Sequence, residues 1–387
     1  MTSPAQSAHI PFSLWPALLA YGAADPRWAQ VRALPPASWA QIVASAQMHN
    51  MAAQLALQLR SQSWRPDLAP AAENVLQTAL RLAAMQSLAR RYELHQALIT
   101  LAAAAVTPVV VKGALLANTV YADPAARPMG DIDLWVTAEE MPQAWRALEG
   151  DGYTQRSKDS RPLEFQAQHD GEVQLVSQAP GRGLIELHWG VFAGEWLRWV
   201  APVDRTGLRQ RVRPVMLLGQ PAYALAPEDH LIQVAVHVAI NHQFTFSVLR
   251  SLLDLVMMAR AGVEWPVVVA RAQAWRVATA VGYALKLAAE LYDEPALAAP
   301  AAQMLPLRQE QNLPRYVSAQ SIMAGEQLAA SRRRLVFLLN ATDRRRDAVR
   351  LVVRTLWPDD DWLAALYGRR GAAVRWRHMR SALQGNI

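Results

Sequence analysis

Residues 131 to 136 read DIDLWV, and that alternation constrains the chain more than any other feature. In an extended strand, successive side chains point to opposite faces, so residues i and i+2 share one face. Ile132 and Leu134 therefore belong to an apolar core, while Asp131 and Asp133 project together on the other side. Two carboxylates placed this way repel each other unless a cation lies between them. A chain with this strand must build a sheet whose one face is apolar and whose other face gathers charge.

The preceding residues say what kind of charge. VTPVVVKG clusters β-branched residues and reads as a strand, GALLANTVY as a helix begun by Gly113, and ADPAARPMG as a turn-rich loop. Glycine at a strand-to-helix junction lets backbone N–H groups approach a phosphate, and a helix N-terminus favours negative charge. Lys112 beside it, one of only three lysines against 36 arginines, is expected to neutralise phosphates. Arg127, four residues before Asp131, is expected to act as a second clamp. In LIELHW, 53 residues beyond Asp133, Glu186 is again an acid inside an apolar strand and is the expected third carboxylate. Oxygen ligands without cysteine call for a hard ion, Mg²⁺ or Mn²⁺. Phosphoryl transfer uses such ions on the attacking and leaving oxygens.

Around this segment the pattern is helical. Residues 37–105 carry apolar side chains at spacings of three and four, with prolines at the junctions. Thr137 and Glu140 form a capping-box pattern before AWRALEG. GYTQRS, EVQLVS and LIELHWG are further strand candidates, and from APEDHLIQVAVHVAINHQ onward the helical period persists to the end. The expected fold is α+β: an N-terminal helical region (1–105), a mixed β-sheet core (106–200), and a C-terminal helical domain with an Arg-rich end (201–387).

Composition excludes several classes. With 52% hydrophobic and 18% charged residues the chain is not disordered. No uncharged apolar run is long enough for a membrane span. The first residues, MTSPAQSAHIPFSLWPALLAYG, lack a basic region before their apolar patch and make a poor signal peptide, so a cytoplasmic location is the default expectation. The absence of cysteine excludes disulfides, thiolate metal sites and cysteine nucleophiles.

The net charge of +7 is unevenly spread, since 13 arginines face five aspartates from Ser331 to the end. Arg332 to Arg334, Arg344 to Arg346, Arg369, Arg370, Arg375, Arg377 and Arg380 are interspersed with Trp357, Trp362 and Trp376. This reads as a solvated helical face. The alternative is an acidic partner: RNA, a phosphorylated acceptor or an acidic peptide, although no nucleic-acid motif supports the first.

Histidines are ambiguous by pattern alone. His188 shares a strand face with Glu186 and would either contact the acceptor, orient Glu186, or sit in the core beside Trp189. His230, His237 and His242 are spaced by seven and five, not by the four that a helix uses for zinc, so a structural role is expected. Arg250 and Asp254 stand four apart in LRSLLDLVMMAR, which suits a helix-surface ion pair.

KGALLANTVY, ARPMGDIDLWV and IELHW together resemble the nucleotidyltransferase superfamily with the polymerase-β-like fold. Its pattern is a Gly-containing strand–helix turn, an h-D-h-D-h strand and a third acidic strand residue. The segment is more closely similar to a bacterial family of largely uncharacterised nucleotidyltransferases with K-G, Y, R, D-h-D-h-h-V and a later h-D/E-L-H-W, over roughly residues 105 to 260.

The resemblance implies that Asp131 and Asp133 bind metal, Glu186 completes the triad, and Lys112 with Gly113 holds nucleotide phosphates. It also implies that Arg250 and Asp254, on a helix following the core, are candidate acceptor contacts, beside the His188 already read from its strand position. Some relatives lie in peptide natural-product gene clusters. The implied reaction moves a nucleoside monophosphate from an NTP, ATP first, to a hydroxyl of a peptide or protein, an RNA or a small molecule. Pyrophosphate leaves, and Glu186 is the expected base. Better-studied superfamily members carry Gly-Ser where this chain has Lys112-Gly113. A kinase-like phosphotransferase and a non-catalytic nucleotide-binding or partner-binding module therefore remain as alternatives.

Overall fold

The computed structural model describes residues 14–384 except 21, 23, 158–161, 163–164, 166–168, 170, 193, 246, 327 and 329–330. Most of the N-terminal stretch read for a signal, Lys158 and the side chain of Arg332 lie outside the described residues.

One seven-stranded mixed sheet organises the chain. Its strands are β1 (Val109–Val110), β2 (Asp131–Trp135), β3 (Thr154–Arg156), β4 (Glu172–Val176), β5 (Leu184–His188), β6 (Arg213–Leu217) and β7 (Gln220–Ala224). They lie in the order β3-β4-β5-β2-β1-β7-β6. The β2/β5 and β1/β7 pairs are parallel and the others antiparallel.

Every strand expected from the sequence is present, and a hairpin is added. β6 and β7 meet through Leu218 and Gly219, both at positive φ (54° and 81°), the backbone of a tight two-residue hairpin turn. Pro214 and Pro221 hid this hairpin, because proline inside a run argues against a strand. The sheet thus continues to Ala224, well into the segment read as helical.

The two faces of the sheet divide as the alternation requires. Ile132 and Leu134 of β2, Val173 and Leu175 of β4, and Ile185 and Leu187 of β5 share one apolar core. Leu94, Leu98 and Leu101 of the long Pro70–Ala103 helix close it, with Leu148 of the Met141–Gly150 helix. Ahead of the latter helix, Thr137 and Glu140 exchange the two reciprocal capping bonds expected of them, at 2.9 and 3.2 Å.

On the opposite face Asp133, Glu172, Gln174, Glu186 and His188 are buried polar residues, beside the buried Trp135 of β2. The Pro227–Val236 helix, a π-helical turn at His237–Asn241 and the Val248–Ala261 helix contribute the residues that meet them.

A second core joins both helical regions. Trp28, Ile42 and Leu55 from the N-terminal helices belong with Leu231, Leu252, Val281 and Leu285 from the later ones. At the C-terminal end, Arg354, Arg370 and Arg375 pair with Asp359, Asp361 and Asp360. No helix among the described residues is long and apolar enough to cross a membrane.

Candidate active site

Three neighbouring strands each place two polar side chains on the same face of the sheet: Asp131 and Asp133 on β2, Glu186 and His188 on β5, Glu172 and Gln174 on β4. The register puts Asp133 opposite Glu186, Glu172 opposite His188, and Gln174 opposite Glu186. Contact follows from adjacency. Gln174 Nε2 donates to Glu186 Oε1 (2.8 Å). His188 Nε2 lies 2.9 Å from Asp133 Oδ1, and its Nδ1 lies 3.0 Å from Glu172 Oε2.

Lys112 enters this cluster from the side. Its Nζ sits 2.6 Å from Asp133 Oδ1 and 3.7 Å from Glu186 Oε2. The residue has φ = 50°, a left-handed conformation that a lysine adopts only when its surroundings hold it there. His230 supplies the hold: the Lys112 backbone N–H donates to His230 Nε2 at 2.9 Å. Burial keeps His230 neutral, with a pKa lowered to about 4, so its ring nitrogen is available to accept that bond.

Charge is unevenly matched here. Among the described residues, four carboxylates, Asp131, Asp133, Glu172 and Glu186, face Lys112 and His188, with Arg127 acting on Asp131 while also paired to Asp254. Burial and the Lys112 charge pull the His188 pKa down, but bonds to Asp133 and Glu172 outweigh them and raise it to about 9. An imidazolium donating from Nε2 to Asp133, with the Glu172 carboxylate beside its other nitrogen, fits these neighbours. Burial opposes the Asp133 charge, yet Lys112 and His188 hold its carboxyl well below the usual range. Asp131 is raised by burial and by Asp133. Burial, then the charges of Glu172 and Asp133, push Glu186 up to about 7 despite Lys112 and His188.

These shifts are the signature of an acidic site short of positive charge. Asp133, Glu186 and His188 present ligand atoms within 4.8 Å of one another. With His188 committed as a donor, the remaining atoms are carboxylate oxygens, the donor set of a hard divalent cation, and Lys112 Nζ already occupies a cation's place between them. The residues therefore fit Mg²⁺ or Mn²⁺.

A cavity of about 130 Å³ opens over the site. Its lining includes Lys112, Asp131, Asp133, His237, His242 and Arg250, but not Glu186. Gly113 also lines it. A Cβ there would lie 3.3 to 3.4 Å from the Arg127 guanidinium, so a bare backbone lets that arginine cross the turn.

Arg127 lines the cavity as well, with its guanidinium also engaged elsewhere. Its Nε donates to both Asp254 oxygens (2.8 and 2.9 Å), and Tyr121 Oη donates to Asp254 Oδ1 (2.7 Å). The Arg250–Asp254 surface pair expected from the spacing is not formed. Asp254 is 1% exposed and belongs to Arg127, because its side chain points into the protein rather than along the helix. Arg250 donates to the carbonyls of Pro128 (3.1 Å) and Asn50 (2.5 Å), and among the described residues no carboxylate pairs with it.

The sequence reading passed over Glu172 and Gln174, although EVQLV repeats the polar–apolar alternation of DIDLW. The contact of His230 with Lys112 spans 118 residues and leaves no mark in spacing. His237 and His242 become neighbours only through the π-helical turn, whose wider pitch brings i and i+5 together.

A sequence profile of a family described as an uncharacterised nucleotidyltransferase matches residues 35–293. No curated protein matches. One similar solved structure is that of an antigenic nucleotidyltransferase-like protein from Paracoccidioides brasiliensis, at 15% identity. The alignment covers 54% of this chain and 89% of that one with a TM-score of 0.35, too slight a likeness to carry an argument.

Proposed function

The chain belongs to the family described as uncharacterised nucleotidyltransferases, and from that premise we propose a metal-dependent transfer of a nucleoside monophosphate from an NTP, ATP first, to a hydroxyl acceptor. One observation carries the reading: an acidic strand face with too little positive charge lies beneath a cavity walled by Arg250. Asp131, Asp133 and Glu186 would hold Mg²⁺ or Mn²⁺, which when bound neutralises the phosphates and polarises the one under attack.

The chain's own residues do the rest by positioning and electrostatics. Lys112 and His188 together hold Asp133 ionised. Glu172 and Gln174 fix His188 and Glu186 from the neighbouring strand. Arg250, bonded among the described residues to carbonyl oxygens alone, has no carboxylate neutralising it and is a better phosphate ligand than Arg127, which Asp254 pairs. Arg127 passes close over Gly113 and is held by Asp254 and the Pro128 carbonyl. The Arg-rich C-terminal helices favour an acidic acceptor such as a peptide.

Incubating the protein and Mg²⁺ with α-³²P- or γ-³²P-labelled NTP in cell extract tests this, with an Asp131→Asn/Asp133→Asn variant as control. α-Label on an extract component, lost in the variant, is the expected result. γ-Label transfer would make the protein a phosphotransferase, and no transfer of either label would leave a binding module. A labelled acceptor that is not acidic would detach the arginine tail from the reaction.

A further inference from the structure

We propose that His237, backed by His242, is the base that takes the proton from the acceptor hydroxyl; the assignment rests on the nucleotidyltransferase reading above. A general base must touch the group it deprotonates. Glu186, the base expected from the sequence, does not line the cavity and is engaged by Gln174 and Lys112. His237 and His242 do line it, and both are half-buried.

Their pairing is built by the backbone. The His242 N–H donates to the His237 carbonyl (3.0 Å), the i to i+5 bond of a π turn. The two rings meet edge-on at 4.3 Å between centroids, with Nε2 to Nε2 at 2.7 Å. Just beyond, Gln243, Phe244 and Ser247 all have φ near +50° (49°, 54° and 47°), an uncommon cluster for non-glycine residues. A π turn followed by left-handed residues is a costly way to place two histidines, and such distortions gather at functional sites.

In the tautomer proposed, His237 is the donor across the ring–ring contact. Where His237 donates at Nε2, its Nδ1 carries a lone pair, and among the described residues no partner reaches that nitrogen. Burial, reinforced by the charges of Lys112 and His242, keeps His237 neutral. In the transfer, the acceptor oxygen forms a bond to the α-phosphorus and its proton passes to His237 Nδ1. The bond from the α-phosphorus to the bridging oxygen breaks, and that electron pair leaves with pyrophosphate. The His237 Nε2 proton is then shared with His242 Nε2, which spreads the positive charge over both rings.

The test measures α-³²P transfer by wild type, His237→Ala, His237→Asn and Asp131→Asn/Asp133→Asn, together with NTP affinity. His237→Ala should lower the rate about 100-fold, the usual scale for a general base, while NTP affinity stays within about twofold. Exogenous imidazole should restore part of that rate. His237→Asn keeps a polar group at the Nδ1 position without a titratable nitrogen and should be as slow; it is the variant to read if the alanine protein does not fold. A rate near wild type in either variant, or a loss that imidazole cannot restore, would overturn the assignment while the Asp131→Asn/Asp133→Asn control still upheld nucleotidyl transfer. Absence of α-label transfer by wild type would overturn both.

Discussion

Lys112 shows how much one residue decides. Its ammonium is the internal counter-ion of Asp133 and Glu186, and its left-handed backbone is held by His230. Replacing it by methionine leaves buried carboxylates unpaired, which typically costs about 3–5 kcal/mol. Lys112→Met should therefore unfold at lower denaturant, and Mg²⁺ should stabilise it more than it stabilises wild type. Equal stabilisation of both proteins by Mg²⁺ would show that lysine and cation do not share a place.

His230 makes a separate prediction. Its folded pKa, about 4, lies below the ordinary histidine value of 6.5. Between those values the unfolded chain binds a proton that the folded one refuses, so stability present above pH 6.5 falls as pH drops toward 4. His230→Gln keeps an acceptor near the Nε2 position without titrating. Denaturant unfolding measured across that pH range should show a shallower acid loss than wild type; an unchanged slope would remove His230 from the account.

Among the elements, β2 was legible because Asp131 and Asp133 interrupt an apolar run with the period of a strand, and β5 because Glu186 does the same. The alternation was as clear in β4, yet Glu172 and Gln174 acquire meaning only once the register sets them beside His188 and Glu186. β6 and β7 were hidden by their prolines. The Val248–Ala261 helix was visible, but not the direction of Asp254, because helical period fixes neighbours along a helix and not partners across space.

That aspartate clamps the helix to the Tyr121–Arg127 segment. Asp254→Asn removes the charge that Arg127 needs and should cost about 3–5 kcal/mol, as should Arg127→Gln. The double variant should lose less than the two losses summed, since neither charge is then stranded. Additive losses in denaturant titrations would mean that the two residues act apart.

At the scale of the whole molecule, the sheet is a partition. One face packs on the Pro70–Ala103 helix, and the other gathers its charges against the helices that share a core with the N-terminal region. Arg250 joins these parts directly, bonding to Pro128 beside the site and to Asn50 between N-terminal helices. On the proposed reading, the polar face of β2 and β5 is a cation site for an NTP. Anomalous diffraction from crystals grown with Mn²⁺ and a non-hydrolysable NTP analogue tests it most directly. A manganese peak bonded to Asp133 and Asp131 is expected, with the triphosphate against Arg250 and the Lys112 ammonium displaced from Asp133. A bound nucleotide with no manganese at these aspartates, and Lys112 still seated on Asp133, would contradict it.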